Sequence, residues 1–176
     1  DIPLNEIGQS ISNKQLFNEV EAKEQFIEAV KQLKIIADKY HIKLYIENNV
    51  VSSQNFKNFG DMNPFFICSK QDAEEFTKRV PDVQILIDLA HLKVSCKTLG
   101  LNFEEEADYF LNSTDYVHLS DNDGLSDSNK EILKDSDVYD VLRKVNFKNK
   151  IFTLEVYTGL DKVKETYNLI NNLIYA

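Results

Sequence analysis

Four short apolar runs each end in a residue that can bind a metal: Glu47, Asp88, His118 and Glu155. The runs are Leu-Tyr-Ile before Glu47, Ile-Leu-Ile before Asp88, Tyr-Val before His118, and Phe-Thr-Leu before Glu155. The gaps between the four residues are 41, 30 and 37 positions. Each gap is long enough for one strand, a loop, a helix and a return loop. A strand that ends in such a group delivers it to the edge of a sheet. Taken singly, each residue has a plain structural reading. Glu47 can enter a loop, Asp88 can cap a helix, and His118 can be a satisfied core residue. Glu155 is harder to place, because a carboxylate in an apolar strand costs several kcal/mol unless it is paired or metal-bound. Together, three carboxylates would repel one another without a cation. Three carboxylates and one imidazole suit a single divalent ion, Mn, Mg, Co or Zn, and the sequence does not choose among them.

Other polar residues gather near the same run ends. His91 follows Asp88 by three positions and can point into the same mouth. Asp121 follows His118 by three and is expected to orient it as a hydrogen-bond acceptor. His41 falls in a helix-to-strand turn and reads as a surface residue. The acidic stretch from Asp121 to Asp127 fails the EF-hand register, since placing Gly124 at the sixth loop position puts Leu119 at the first. No phosphate-binding glycine loop, dinucleotide fingerprint or serine elbow is present.

The elements that must position these groups are legible from periodicity. Residues 1–17 read as a loop. Residues 18–40 read as an amphipathic helix with Ala22, Phe26, Ala29, Val30, Leu33, Ile36, Ala37 and Tyr40 on one face. Strands are expected at 42–47, 83–88, 115–119 and 151–156. Helices are expected at 71–79 behind a Ser69 cap, at 92–99 before Gly100, and from Asn102 to about residue 111. Two more are expected at 137–145 and, behind a Thr158 cap, to about residue 174. Residues 48–64 and 120–135 read as long loops of the kind that carry function. Strands alternating with helices call for parallel pairing and right-handed crossovers. The chain is read as one α/β domain, residues 1–176, built of parallel β/α units.

Composition narrows the function. The chain has 176 residues, a formal net charge of −9, and only two arginines, Arg79 and Arg143. That balance weighs against nucleic acid, whose binders carry a basic patch. No apolar run nears the roughly 20 residues that span a bilayer. Cys68 and Cys96 lie 28 apart in no paired motif and read as reduced thiols, with the cytoplasm as the expected compartment.

The segments around Glu47-Asn48-Asn49, Asp88 to His91, Val117 to Asp121, and Leu154 to Val156 resemble the xylose isomerase-like TIM barrels. That superfamily holds sugar isomerases, epimerases and endonuclease IV-type AP endonucleases. The resemblance runs from about residue 20 onward. It implies a partial barrel of four strands, the C-terminal portion of a full one, that lacks the first half by truncation or proteolysis. A homo-oligomer would then cover the open edge. It further implies that Glu47, Asp88, His118 and Glu155 are metal ligands, that Glu47 and Glu155 are also the catalytic acid and base, and that His91 binds substrate. The expected function is a divalent-metal-dependent sugar or sugar-phosphate isomerase or epimerase, working by proton transfer through a metal-stabilised enediolate. In the endonuclease branch His91 would hold a further zinc with an Asp-x-His pair, which here reads Asp127-Ser128-Asn129. A phosphodiesterase acting on abasic DNA is therefore the alternative. A metal-binding fragment, inactive without the missing half barrel, is another. The epimerase branch often carries an arginine six positions after the histidine ligand, and Gly124 occupies that position here.

Overall fold

Strands and helices alternate along the chain, as the apolar runs predict. The computed structural model describes residues 18–175, so the loop expected over 1–17 lies outside the described residues. The strands are β1 (Tyr45–Glu47), β2 (Gln84–Asp88), β3 (Tyr116–Leu119) and β4 (Ile151–Leu154). They form one parallel sheet in the order β1-β2-β3-β4. The helices are α1 (Glu19–Lys39), α2 (Ser53–Asn58), α3 (Lys70–Arg79), α4 (Leu89–Leu99), α5 (Phe103–Ser113), α6 (Asp137–Leu142) and α7 (Leu160–Ile174). The fold is thus α/β with four parallel strands, as a partial barrel requires.

Register decides which side chains share a face. Glu47 pairs with Leu86, Asp88 with His118, and His118 with Thr153. Side chains alternate along a strand. Tyr45, Glu47, Leu86, Asp88, Tyr116, His118 and Thr153 therefore share one face. Contacts across it agree, with Tyr45 edge-on to Tyr116 and the Tyr116 hydroxyl 3.0 Å from Thr153 Oγ1. The opposite face carries Ile87, Val117 and Leu119, buried in one core with Phe76, Leu92, Phe110 and Leu142.

Local chemistry sets the helix ends. Ser69 accepts from the Asp72 amide and Asp72 accepts from the Cys68 amide, so the two orphan donors at the start of α3 are satisfied together. Asn102 caps α5 through the Glu104 and Glu105 amides. Gly100 closes α4 in the left-handed conformation, with φ at +70°.

Several expectations need correction. The first helix buries Ile27, Val30 and Ala37, while Leu33, Ile36 and Tyr40 are exposed. The helix contacts α3 and Phe66: Lys23 pairs with Glu75, Glu24 with Arg79, and Phe26 meets Phe66 and Phe76. A six-residue helix, α2, forms inside the 48–64 loop behind a Ser52 cap. The helix expected at 92–99 begins earlier, at Leu89, because Asp88 caps it. The helix expected to run to 145 stops at Leu142. Thr158 is not a cap: its hydroxyl bonds Glu131, and α7 starts behind Gly159 without a side-chain cap. No described helix is long and apolar enough to cross a membrane.

The core rests heavily on Phe76, fully buried against Phe26 and Phe66. Phe76→Ala is expected to cost about 3–5 kcal/mol, read as a lower urea midpoint. A cost under about 1 kcal/mol would contradict this packing.

Candidate active site

The in-register sheet brings the four run ends together. One ligand atom from each of Glu47, Asp88, His118 and Glu155 lies within 4.8 Å of the others. Donor atoms this close together could be shared by a single divalent ion. His118 Nδ1 stands between the two glutamates, 3.2 Å from Glu47 Oε1 and 3.1 Å from Glu155 Oε1. Those are ion-pair distances, yet Nδ1 is buried and makes no aligned hydrogen bond. Asp88 Oδ2 is likewise buried without a partner. A buried carboxylate oxygen without a partner, beside two further carboxylates and an imidazole, is the arrangement a cation would satisfy. The donor set therefore fits a divalent cation.

Asp88 has two duties. It is fully buried, and its Oδ1 accepts from the His91 amide at 2.9 Å, capping α4. Burial pushes its carboxyl up to about 6, against the pull of His91. Burial also works to raise Glu47, but the His118 ring beside it, with His91, outweighs burial and holds Glu47 below the usual carboxylate range. The adjoining Glu47 and Glu155 carboxylates raise His118 despite its partial burial.

His91 belongs to the same mouth. Its Nδ1 lies 3.9 Å from Glu47 Oε1 and 3.0 Å from the Asn48 carbonyl, and its Nε2 lies 3.2 Å from Asp127. Two acceptors flank the ring, so both nitrogens carry protons and His91 is cationic. Burial would lower its pKa, but the bond to Asp127 and the Asp88 charge push it up to about 10. The cation offsets part of the carboxylate charge.

Asp121 does not orient His118. Three residues separate them, an odd number, so they project to opposite sides of the chain. Asp121 Oδ1 instead accepts from Lys93 Nζ and from the Asn122 amide, each at 2.7 Å. His41 is exposed, as expected. At Gly124, φ is +73° and an added Cβ would meet Lys97 Cδ at 2.9 Å, so a side chain there would be strained and crowded.

Sequence reasoning missed Asn48 and Lys93. Asn48 is buried, with its amide against Asp88. Nothing in a Glu-Asn-Asn run distinguishes a buried amide from a loop residue. Lys93 had a signal: it is the one lysine in the largely apolar stretch from Leu89 to Val94. Such a lysine needs a partner, and Asp121 supplies it.

A family model described as xylose isomerase-like TIM barrel matches residues 7–173. No curated protein matches this chain. A solved structure of a D-tagatose 3-epimerase-like protein superposes with a TM-score of 0.63 and 16% identity, over 85% of this chain and 53% of its own. The apo form of the 3-keto-D-glucoside 4-epimerase YcjR from E. coli does so with a TM-score of 0.59 and 15% identity, over 94% of this chain and 57% of its own. At these identities the likeness establishes the fold. The chain spans little more than half the length of either structure.

Metal binding should follow Asp88. Its folded pKa, about 6, lies above the unfolded value of about 3.9. Its contribution to stability is therefore fully present below the unfolded pKa and is lost as pH rises through about 6. A cation that needs the carboxylate reverses the trend. Mn²⁺ affinity, measured by titration calorimetry, is expected to fall as pH drops through about 6, and the thermal shift given by Mn²⁺ to widen as pH rises over the same interval. Affinity unchanged between pH 5 and pH 7.5, roughly the window that spans this ionisation, would count against the site.

Proposed function

This chain belongs to the xylose isomerase-like TIM barrel family, and on that premise we propose that it forms part of a divalent-metal-dependent isomerase or epimerase of sugars or sugar phosphates. The observation that carries the reading is the convergence of Glu47, Asp88, His118 and Glu155 at one end of the sheet. That both structures sharing the fold are named for sugar epimerases supports it. The chain covers about half of either, so the activity is proposed for a whole barrel, in which further strands or a second copy cover the open edges at β1 and β4.

In this proposal the four residues hold one cation. When bound, the cation supplies Lewis-acid polarisation of a carbonyl and positive charge against the developing oxyanion. Glu47 and Glu155 move the protons. Each side chain is partly exposed, 41% and 27%, so a substrate can reach both. Their carboxylates approach His118 Nδ1 from two strands, and in this proposal each works on one face of a substrate lying over the sheet end. One takes the proton alpha to the carbonyl as general base, and the other returns a proton to the opposite face. His91 presents a cationic N–H beside Glu47. The donor now given to Asp127 is the one a substrate hydroxyl would share.

The test is Mn²⁺-loaded protein in heavy water with a panel of ketoses and ketose phosphates. Deuterium is expected at the carbon beside the carbonyl, and Glu47→Gln or Glu155→Gln should slow its entry by about 10²–10⁴-fold. Turnover without deuterium entry would overturn proton transfer in favour of a hydride shift. No turnover and no exchange, in this chain or in a longer one that contains it, would overturn the reading and leave a metal-binding fragment.

One contact speaks for the phosphodiesterase alternative: Asp127 does reach His91. Against it, Asn129 stands where that reading calls for a histidine, and its side-chain oxygen is taken by Ser120 Oγ at 2.8 Å. Nicking of abasic duplex DNA would restore that alternative.

A further inference from the structure

We infer that Asn48 is the positioning residue of this centre, holding Asp88 so that one carboxylate oxygen alone remains for the cation. The inference rests on the reading that Glu47, Asp88, His118 and Glu155 bind a metal.

The residue sits just past the end of β1 and is 1% exposed. Its own amide continues the sheet by bonding the Leu86 carbonyl at 3.1 Å. Its side chain then takes over the pairing. Asn48 Oδ1 accepts from the Asp88 amide at 2.6 Å, and Nδ2 donates to the Asp88 carbonyl at 3.2 Å. A side-chain amide carries an acceptor and donors in one planar group. It can therefore stand in for the main chain of a neighbouring strand. An ionised carboxylate of that size only accepts, and an aliphatic group does neither.

The loop closes through His91. Asp88 Oδ1 accepts from the His91 amide, and His91 Nδ1 donates to the Asn48 carbonyl. The result is a ring of hydrogen bonds through Asn48, Asp88 and His91. It occupies the Asp88 amide, carbonyl and Oδ1, and leaves Oδ2 alone without a partner. Every contact in the ring is local to the ends of β1 and β2 and the first turn of α4. Removing Asn48 would free the Asp88 main chain while leaving all four ligands in the sequence.

The experiment uses Mn²⁺ and Co²⁺ alone as probes. Asn48→Ala is compared with the unaltered protein and with Val138→Ala, a buried site in α6 that is not a member of the ring. Asn48→Ser, which keeps a short polar group, serves if the alanine variant does not fold. Loss of Asn48 is expected to weaken Mn²⁺ binding about 10–100-fold, as loss of a residue supporting a ligand does. It should also alter the visible Co²⁺ spectrum, while Val138→Ala lowers the melting temperature and leaves both unchanged. Equal effects of the two alanine variants on affinity, or an unchanged affinity in Asn48→Ala, would overturn the positioning role and leave the metal reading intact. Failure of the unaltered protein to bind either ion would overturn the metal reading itself, and this inference with it.

Discussion

Three carboxylates held within a few ångströms of each other are the constraint on which the site depends. Their repulsion has to be met by positive charge, and the described residues supply two sources. His118 lies between Glu47 and Glu155, and a cationic His91 lies beside Glu47. Those imidazoles lessen the repulsion but do not saturate the oxygens. Asp88 Oδ2 stays without a hydrogen-bond partner in a buried setting. The sheet is what forces the arrangement. Parallel strands in register cannot deliver four alternate side chains to one face without bringing their charges together.

Most of this was open to sequence reasoning, because it follows from period and order. Apolar runs bounded by polar residues marked all four strands, and the residue ending each run marked the site. The spacing predicted parallel β/α units, and a parallel sheet is what forms. Ser69 and Asn102 announced their helices because capping is a short-range interaction.

The readings that failed depended on what lies beside an element rather than within it. The buried stripe of α1 is not the most regular apolar stripe: Leu33, Ile36 and Tyr40 are exposed, while Phe26 and Lys23 meet α3. Asp121 was close to His118 in sequence, but the pleat turned it to the opposite side, where Lys93 holds it. Thr158 had the chemistry of a cap, yet α7 starts one residue later, behind Gly159, and the Thr158 hydroxyl donates to Glu131. Asn48 shows the same limit in reverse. An amide that copies a strand's hydrogen bonds carries no periodic signal, because its partners lie 40 positions away.

The double duty of Asp88 bears on which acids this site can use. Glu47 ends β1 and Glu155 follows β4, and the next helices start elsewhere, behind Ser52 and Gly159. Their length is free to be chosen for reach. Asp88 must start α4 as well as face Glu47, His118 and Glu155, and a cap favours the short side chains of Asp, Asn, Ser and Thr. A glutamate at that position would offer the same oxygen chemistry but would overshoot the amide of His91. The choice of aspartate at this strand end, and glutamate at the other two, is thus imposed by the helix and not by any ion. Substitution at position 88 is filtered twice, once by charge and once by backbone geometry, and only aspartate passes both.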